Sequence, residues 1–380
     1  MKHIRVVGGH VMGSSHSRSA LRTKIHSLCF NVGLPSLFVT INPADIHSPV
    51  ALYFAGVDLD LDKILPETLG TSYERAKTIA THPVATAKFF NCLIKSILKS
   101  LVLGGILGPT KAYFGTVESQ GRGSLHLHLL IWLNHDFTPT QLKQQIQNED
   151  FRQKLLAYLE DIVKEDLDQF RAKPDGLKTC RMRMPRALVE NSHIDVSTGQ
   201  ITMRRSHPWI NNFNEWVISA CRCNMDIKFI WTGSDAKALV YYITDYVTKS
   251  SLAFYDMFAL AQQGIKSIEQ QQATCGTESA IEKSRKLVLR CYNTIASHQE
   301  VSGVQVASYL MNYGDHYTTH TFRNIFLISI ENYLQAEIMK VRLSEKHIDE
   351  EESDELSIPF HEDQEDEAKE TEEQFILEPT

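Results

Sequence analysis

The residues best suited to chemistry lie in a short stretch that reads as two β-strands joined by a glycine-containing turn. This stretch, Tyr113 to Leu133, has the sequence YFGTVESQGRGSLHLHLLIWL. Its second strand carries His126 and His128, whose side chains point to the same face about 7 Å apart along the chain. Two imidazoles held side by side on a rigid strand are able to bind one metal ion. A polar stripe on a half-exposed sheet is the alternative interpretation of this pair.

The first strand of the same hairpin supplies oxygen atoms for such a site. Thr116, Glu118 and Gln120 share a parity, so they face the histidines if the hairpin register allows it. An oxygen-rich, half-open site suits a hard divalent cation. The apolar run Leu129 to Leu133 predicts a central, buried strand, in which a polar group needs a partner. Both features favour the metal interpretation of the histidines over the polar stripe.

A second group of reactive residues lies on a predicted helix over residues 236–250, which read AKALVYYITDYVTKS. Tyr242 and Tyr246 are one turn apart on one face, Lys249 lies on that face too, and Tyr241 points away as a packing residue. A phenol with a pKa of about 10 is not an activated nucleophile at neutral pH. It can attack an electrophile such as a phosphodiester when a metal polarises the oxygens of that group. The product is a covalent bond between the enzyme and the substrate. The nearby lysine then stabilises the leaving oxygen, whereas packing in the core is the alternative role of this tyrosine pair.

Hydrophobic periodicity predicts the elements that position these residues. One helix follows Ser14, with Leu21, Ile25 and Leu28 on its apolar face. The strand LFVTIN spans residues 37–42 and places Thr40 and Asn42 on one face. A helical region over residues 72–105 is broken at His82-Pro83, and a long helix spans residues 138–171. A hairpin over 194–203, a strand over 225–230 and a mostly helical region over 251–344 follow.

Composition is ordinary for a globular protein of 380 residues, with 43% hydrophobic and 9% aromatic residues. No apolar run approaches the roughly 20 residues of a membrane span, and the N-terminus lacks the apolar core of a secretion signal. The seven cysteines are scattered without a C-x-x-C pair, which disfavours a structural zinc site or a disulfide framework. The sequence therefore predicts a protein of the cytosol or nucleus that is neither secreted nor bound to a membrane.

Charge is distributed unevenly along the chain. Residues 345–380 hold 16 acidic residues and two lysines, so the totals of 46 acidic and 39 basic residues leave 30 acidic and 37 basic residues in 1–344. A mildly basic body suits a polyanion, and the acidic tail is predicted to be disordered and solvated. We expect DNA-backbone contacts, with a solvated basic face as the alternative, from the arginines of the irregular segment 172–208: Arg181, Arg183, Arg186, Arg204 and Arg205.

The order of these motifs resembles the HUH endonucleases that initiate rolling-circle replication, and more closely the Rep domain of Helitron transposases, also called the Helitron helicase-like domain. LFVTINPADIHSP is similar to that family's first motif, VESQGRGSLHLHLLIW to its metal motif, and NMDIKFIWTGSDAKALVYYITDYVTKS to its two-tyrosine motif. PRALVENSHIDVSTGQITMRRSHPWINNFN and a segment around Gln299, Glu300 and TTHTF match as well. The resemblance spans most of residues 1–330.

The resemblance implies a site and a reaction. His126 and His128 would bind Mg²⁺ or Mn²⁺, with Gln120 or Glu118 as a third ligand. Tyr242 and Tyr246 would be nucleophiles that form a 5′-phosphotyrosine and release a 3′-hydroxyl on single-stranded DNA at transposon ends, and Lys249 would assist electrostatically. The implied fold is α+β, a central antiparallel sheet of the HUH/Rep type flanked by helices, with an additional mostly helical C-terminal region.

The same resemblance suggests a division of the chain and leaves other functions open. We expect an N-terminal part of the Rep-like region over 1–70, an endonuclease core over 71–250, a helical extension over 251–344 and an acidic tail over 345–380. The chain has no G-x-x-x-x-G-K-[ST] phosphate loop, so helicase activity is expected from another domain or from a separate helicase in trans. A catalytically inactive single-stranded DNA-binding remnant of a truncated transposon is the alternative, and a hydrolase that uses water is a third hypothesis.

Overall fold

The computed structural model describes residues 14–64, 69–119, 123–135, 137–165, 184–230, 238, 240–241, 243, 259–266, 280–297, 301–325, 327–349 and 374–379. The fold is α+β, and its centre is a five-stranded, wholly antiparallel sheet flanked by helices. Its strands are β1 (Leu37–Asn42), β2 (Thr110–Ser119), β3 (Leu125–Leu133), β6 (Asn224–Phe229) and β7 (His316–Thr318). They lie side by side in the order β6-β1-β3-β2-β7.

Two small ribbons complete the strands of the described residues. β4 (His193–Ile194) pairs with β5 (Ile201–Thr202), which confirms the hairpin predicted over 194–203. β8 (His320–Ile325) pairs with β9 (Gln374–Pro379). β9 lies within the segment for which the sequence predicts a disordered tail, and residues 350–373 lie outside the described part of the chain.

Ten helices are named within the described residues. They are α1 (Ser15–Val32), α2 (Pro49–Phe54), α3 (Ser72–Thr81), α4 (Pro83–Ser96), α5 (Pro139–Gln145), α6 (Glu149–Ile162), α7 (Glu215–Cys221), α8 (Ala280–Ser297), α9 (Gly303–Leu310) and α10 (Leu327–Asp349). A π-helical turn, Ile97–Val102, extends α4. The break predicted at His82-Pro83 separates α3 from α4, because proline at the first position begins a new helix there. Among the described residues, no helix combines the length and the apolarity that a membrane crossing requires.

The single helix predicted over 138–171 is two helices in the described residues. α5 ends at Gln145 and α6 begins at Glu149. Asn148 caps α6, because its side-chain oxygen accepts hydrogen bonds from the backbone N–H groups of Asp150 and Phe151. α6 itself ends at Ile162, and Lys164, two residues later, pairs with Phe213 in an isolated bridge. The apolar periodicity is continuous across the break, so it predicted one helix although Asn148 is a capping residue at which a second helix begins.

The two faces of the sheet bury different sets of side chains. On one face, Val39, Leu127 and Leu129 pack in a cluster with residues of α4 such as Ile94. On the other face, the apolar side chains of the strands meet Leu21, Ile25 and Leu28 of α1, as the helix periodicity predicted. All of β3 except its last residue is buried, which confirms the prediction of a central, buried strand. Because successive side chains of a strand point to opposite faces, those of β3 alternate between an all-apolar core and a face that carries both polar and apolar residues.

The C-terminal region contributes to the main sheet as well as to the helices. β7 lies within the segment 251–344, which the sequence predicts as mostly helical, and it pairs with β2 at the edge of the sheet. Its three residues are too few to show the alternation by which a strand is recognised. Residues 251–344 are thus joined to the sheet through β7.

A buried ion pair fixes the segment that precedes β6. Arg205 and Glu165 are each 7% exposed, and the guanidinium of Arg205 donates to the carboxylate of Glu165. Arg205 also donates to the Asn212 side chain and to the Ile210 carbonyl, both at 3.1 Å. The backbone carbonyl of Asn212 in turn accepts from Ile227 of β6. This network therefore anchors the strand at one edge of the sheet.

Replacement of Glu165 by alanine is expected to cost about 3–5 kcal/mol of unfolding free energy, because it leaves the Arg205 charge buried without its carboxylate. Urea unfolding followed by circular dichroism measures this loss. The matched control is Glu149→Ala, since Glu149 pairs with Arg152 but its side chain is 69% exposed, and this variant is expected to lose less than about 1 kcal/mol. Equal losses in the two variants would show that the buried pair is not a stabilising anchor.

Candidate functional site

Polar side chains cross the sheet in one row on the face that carries the histidines. In register, His128 of β3 lies between Thr40 of β1 and Thr116 of β2. Thr40 pairs with Asp226 of β6, and Thr116 pairs with His316 of β7. Residues paired in register share a face of an antiparallel sheet, so one polar row extends over all five strands. His128 stands at its centre.

The second histidine faces a carboxylate across the hairpin. Glu118 is the register partner of His126, and its Oε2 lies 2.9 Å from Nε2 of His128. The rings of His126 and His128 are close, with centroids 4.6 Å apart and planes at 75°. The hairpin register thus places Glu118 on the histidine face, the condition on which the sequence analysis made its role depend. Gln120, the other predicted oxygen ligand, lies outside the described residues.

Burial keeps the imidazole of His126 in its neutral form. His126 is 9% exposed and His128 is 6% exposed. Burial, reinforced by the proximity of His128 and opposed by Glu118, lowers the pKa of His126 to about 4. Within the described part of the chain, the buried Nδ1 of His126 has no hydrogen-bond partner. A neutral buried imidazole with an unsatisfied nitrogen has the properties of a metal ligand.

The donor set at this position fits a hard or borderline divalent cation in kind. The two imidazoles supply nitrogen atoms and the Glu118 carboxylate supplies oxygen atoms. The site is partly open to solvent, since the Glu118 side chain is 28% exposed. Over the residues that the structure describes, no group of three or more His, Cys, Asp and Glu side chains is arranged so that it could hold a metal ion.

The same face of the sheet changes from polar to apolar along β3. Leu130 and Trp132 continue the parity of the histidines, and together with Phe38 they pack beneath α1. Phe38 also stacks on His128, with ring centroids 6.1 Å apart and planes at 7°. This packing restricts the imidazole orientation, which a metal site requires.

The described part of the predicted tyrosine helix lies on this same face. Ile243 is 2% exposed and belongs to the cluster of Phe38, Leu130 and Trp132, and Val240 packs against that cluster. Ile243 is the residue after Tyr242 in the chain, while Tyr242, Tyr246 and Lys249 themselves lie outside the described residues. Tyr241, predicted to be a packing residue, is 69% exposed, so that prediction is wrong. Val240 and Ile243 thus lie on the side of the sheet that carries the histidines.

A charged group at one end of the polar row was missed by the sequence analysis. His316, two strands away from His128 in the polar row, is linked to Asp315 through Nδ1 at 2.8 Å and accepts from the Lys24 ammonium at 3.3 Å. Phe114 stacks on His316. Burial lowers the pKa of Lys24, and the nearby Asp315 opposes this shift. No sequence signal joins Lys24 to His316, because 292 positions separate them.

A cavity of about 710 Å³ opens at the end of the sheet where β3 begins. Its lining includes Asn42 at the end of β1, Asn224 at the start of β6, and Ser124, which stands two residues before His126. Asp45, 8% exposed, accepts a hydrogen bond from the Ser124 hydroxyl at 2.9 Å and also lines the cavity. Amide, hydroxyl and carboxylate groups are thus gathered beside the histidine strand, in a space large enough for a nucleotide-sized ligand.

The arginines predicted to contact DNA occupy different environments. Arg204 is exposed, whereas Arg205 is buried in the ion pair with Glu165. Arg186 donates to the side chains of Asn211 and Asn212 at 3.1 and 3.2 Å. Arg181 and Arg183 lie outside the described residues. Of the three that are described, Arg204 has the environment of a surface contact, and Arg205 has that of a structural residue.

Acidification is expected to destabilise the metal-free protein through His126. Its pKa is about 4 in the folded chain and near 6.5 when unfolded, so the unfolded state binds the proton first as the pH falls. The free energy of unfolding should therefore decrease between pH 7 and pH 4, by about 3 kcal/mol from this group. Urea titrations in chelator at several pH values measure it, and the His126→Gln variant should show a flatter pH dependence. Identical pH dependence in both proteins would contradict this assignment.

Comparison with known families agrees with the resemblance drawn from the motifs. Residues 1–131 match the family model described as the Helitron helicase-like domain at the N-terminus. This part, about one third of the chain, includes β1, β2, most of β3, both histidines and Glu118, and it ends before the tyrosine helix. No curated protein matches the sequence closely enough to count as a relative. The domain match supports a transposon-related function.

Proposed function

We propose that this protein is a metal-dependent endonuclease that nicks single-stranded DNA and transfers the cut strand through tyrosine nucleophiles, as in Helitron rolling-circle transposition. The observation that carries the proposal is the histidine face of the sheet. Two buried imidazoles and a carboxylate converge there, on the face against which the helix segment next to Tyr242 packs. The sheet is then of the HUH/Rep type.

In this proposal His126 and His128 hold Mg²⁺ or Mn²⁺, with Glu118 or Gln120 as a further ligand. The cation supplies Lewis-acid polarisation of the oxygens of the scissile phosphate. Glu118 is supported by its register opposite His126 and by its contact with His128. Phe38 and the surrounding apolar residues hold His128 in place, and the burial of His126 keeps its ring unprotonated at neutral pH.

The tyrosines carry out the bond exchange. The phenol oxygen of Tyr242 or Tyr246 forms a bond to phosphorus, and the bond from phosphorus to the 3′-oxygen of the neighbouring nucleotide breaks. The phenol loses its proton and the departing 3′-oxygen gains one, so that a 5′-phosphotyrosine and a free 3′-hydroxyl result. Lys249 stabilises charge on the departing oxygen. With two tyrosines, one strand end remains attached while the second tyrosine acts on another strand.

The remainder of the chain supports DNA binding. The basic balance of residues 1–344 attracts the phosphate backbone, so binding is expected to weaken as salt increases. Arg204 and, outside the described residues, Arg181 and Arg183 are proposed to contact the backbone, with Arg186 beside them. The partners are single-stranded DNA at transposon ends and a helicase, supplied by another domain or in trans, and the proposed location is the nucleus.

An assay with end-labelled single-stranded oligonucleotide separates this function from its alternatives. With Mn²⁺ or Mg²⁺, the 3′-labelled fragment should become covalently bound to protein and the 5′-labelled fragment should be released with a free 3′-hydroxyl. Neither product should form in chelator. Cleavage without covalent protein would indicate a water-using hydrolase, and retardation without cleavage would indicate a binding remnant; either outcome overturns the proposal.

A further inference from the structure

The longest named helix of the described residues presents apolar side chains to solvent. α10 has 23 residues, so it is about 34 Å long. Five of its large apolar residues are exposed, with fractions of 38% for Leu327, 46% for Ile330, 53% for Leu334, 51% for Ile338 and 54% for Val341. Soluble monomers rarely expose so continuous an apolar surface without using it.

These side chains form one stripe along the helix. The spacing of 3, 4, 4 and 3 residues from Leu327 to Val341 keeps them within one narrow face. Tyr333, exposed by 64%, lies beside it, whereas Met339, exposed by 65%, lies on the opposite side of the helix. In globular proteins a helix gains most of its stability from packing such a face, since propensity alone leaves it marginal. The stripe is therefore a surface suited to covering by a partner.

The charges beside the stripe indicate which partner fits. Glu331 precedes Leu334 by three residues, and Arg342 follows Ile338 by four, so both flank the same side of the stripe near opposite ends. They are 11 positions apart, about 16 Å, too far for contact within one helix. Within the helix, Glu331 accepts a hydrogen bond from the neutral amide of Gln335 at 3.4 Å, and Lys340 is paired with the carboxylate of Glu337 at 2.7 Å.

An antiparallel second helix of the same sequence matches this arrangement. With a two-fold axis near residue 336, Leu334 of one chain meets Ile338 of the other, and Ile330 meets the region of Val341. Because flanks of the same kind face each other in an antiparallel pair, Glu331 of each chain then lies opposite Arg342 of the other. The two-fold axis repeats each of these contacts, so four apolar contacts and two ion pairs form together, as in a closed symmetric dimer.

We propose that α10 is a self-association surface, through which two copies of this chain pair antiparallel about a two-fold axis at its centre. The interface consists of one helix from each copy and is small, so dimerisation is expected at protein concentrations on the order of micromolar to tens of micromolar. The proposal rests on the described side chains of α10 and is independent of the nuclease chemistry.

Sedimentation equilibrium of the full chain tests the pairing. Wild-type protein should show a concentration-dependent monomer–dimer equilibrium. Leu334→Glu should weaken it by at least about 100-fold, because two buried leucines become charged groups in an apolar contact. The matched control is Asn332→Glu, which adds the same charge on the opposite, exposed side of the helix and should leave the dissociation constant unchanged. A monomeric wild-type protein at 100 micromolar, or equal effects of the two variants, would overturn the proposal.

Charge exchange tests the antiparallel direction. Glu331→Arg and Arg342→Glu should each weaken dimerisation by about tenfold, since each creates two like-charge pairs. The double variant Glu331→Arg, Arg342→Glu should restore the wild-type dissociation constant. Failure of the double variant to recover, with helix content unchanged by circular dichroism, would contradict the antiparallel pairing. The nicking assay on the same variants is expected to be unaffected, so failure here and failure of the nuclease proposal are distinguishable.

Discussion

The Tyr242→Phe, Tyr246→Phe double variant is expected to form no covalent adduct with single-stranded DNA and to lose at least about 10³-fold in nicking rate. Phenylalanine keeps the aromatic ring but removes the oxygen that would bond to phosphorus. Denaturing gels of a 3′-labelled oligonucleotide incubated with Mn²⁺ measure both adduct and cleavage. DNA retention by the variant should persist, because its basic surface is intact.

A tyrosine in the same segment provides the control for this result. Tyr241 is adjacent to Tyr242 and 69% exposed, so Tyr241→Phe should leave adduct formation unchanged. Each single variant, Tyr242→Phe or Tyr246→Phe, should retain an adduct at the remaining tyrosine, which peptide mass spectrometry locates. An adduct in the double variant, attached to another residue, would refute the assignment of the nucleophiles.

Substitution of the histidines is the second change with a large expected effect. His126→Asn and His128→Asn should each reduce metal-dependent nicking by at least about 10³-fold, because each removes an imidazole ligand from a cation that has few protein ligands. Isothermal titration with Mn²⁺ should show the loss of binding directly. Higher Mn²⁺ concentration should recover part of the activity, whereas it should not recover the activity of the tyrosine double variant.

Destabilisation must be separated from loss of the metal. His126 is a buried imidazole whose Nδ1 is unsatisfied within the described residues, so its replacement in the metal-free protein is expected to cost little stability. His193→Asn, at an exposed histidine of β4, serves as the matched substitution and should retain full activity. Unchanged Mn²⁺ affinity in both His126→Asn and His128→Asn would contradict the proposed metal site.

The strands of the site were predictable because their sequences are strongly patterned. LFVTIN predicted β1 with the same bounds, 37–42, that the structure shows. The run LHLHLLIWL predicted a buried central strand, and eight of its nine residues are buried. Turn residues predicted the β4–β5 hairpin around Gly199, which has a positive φ of 75°. Local sequence is sufficient to predict a strand when the strand has a clear hydrophobic pattern and is followed by recognisable turn residues.

Relations between distant segments were not predictable in the same way. The parity of Glu118 placed it on either face until the register opposite His126 was known. The contact between Lys24 and His316 depends on β7, whose three residues carry no strand signal. Arg205 reads in the sequence like its neighbour Arg204, yet one is buried with Glu165 and the other is exposed. Side-chain environment in these cases is decided by tertiary packing, which a single sequence does not encode locally.

The proposed nuclease requires the phenols of Tyr242 and Tyr246 to lie close to the cation that His126 and His128 bind. Paramagnetic broadening by Mn²⁺ of the tyrosine ring signals in isotope-labelled protein tests it, with Tyr242→Phe and Tyr246→Phe giving the assignments. The account predicts that equimolar Mn²⁺ erases the signals of Tyr242 and Tyr246 and leaves them sharp in the His126→Asn, His128→Asn double variant. Sharp signals of both tyrosines in wild-type protein that has bound Mn²⁺ through its histidines would contradict it.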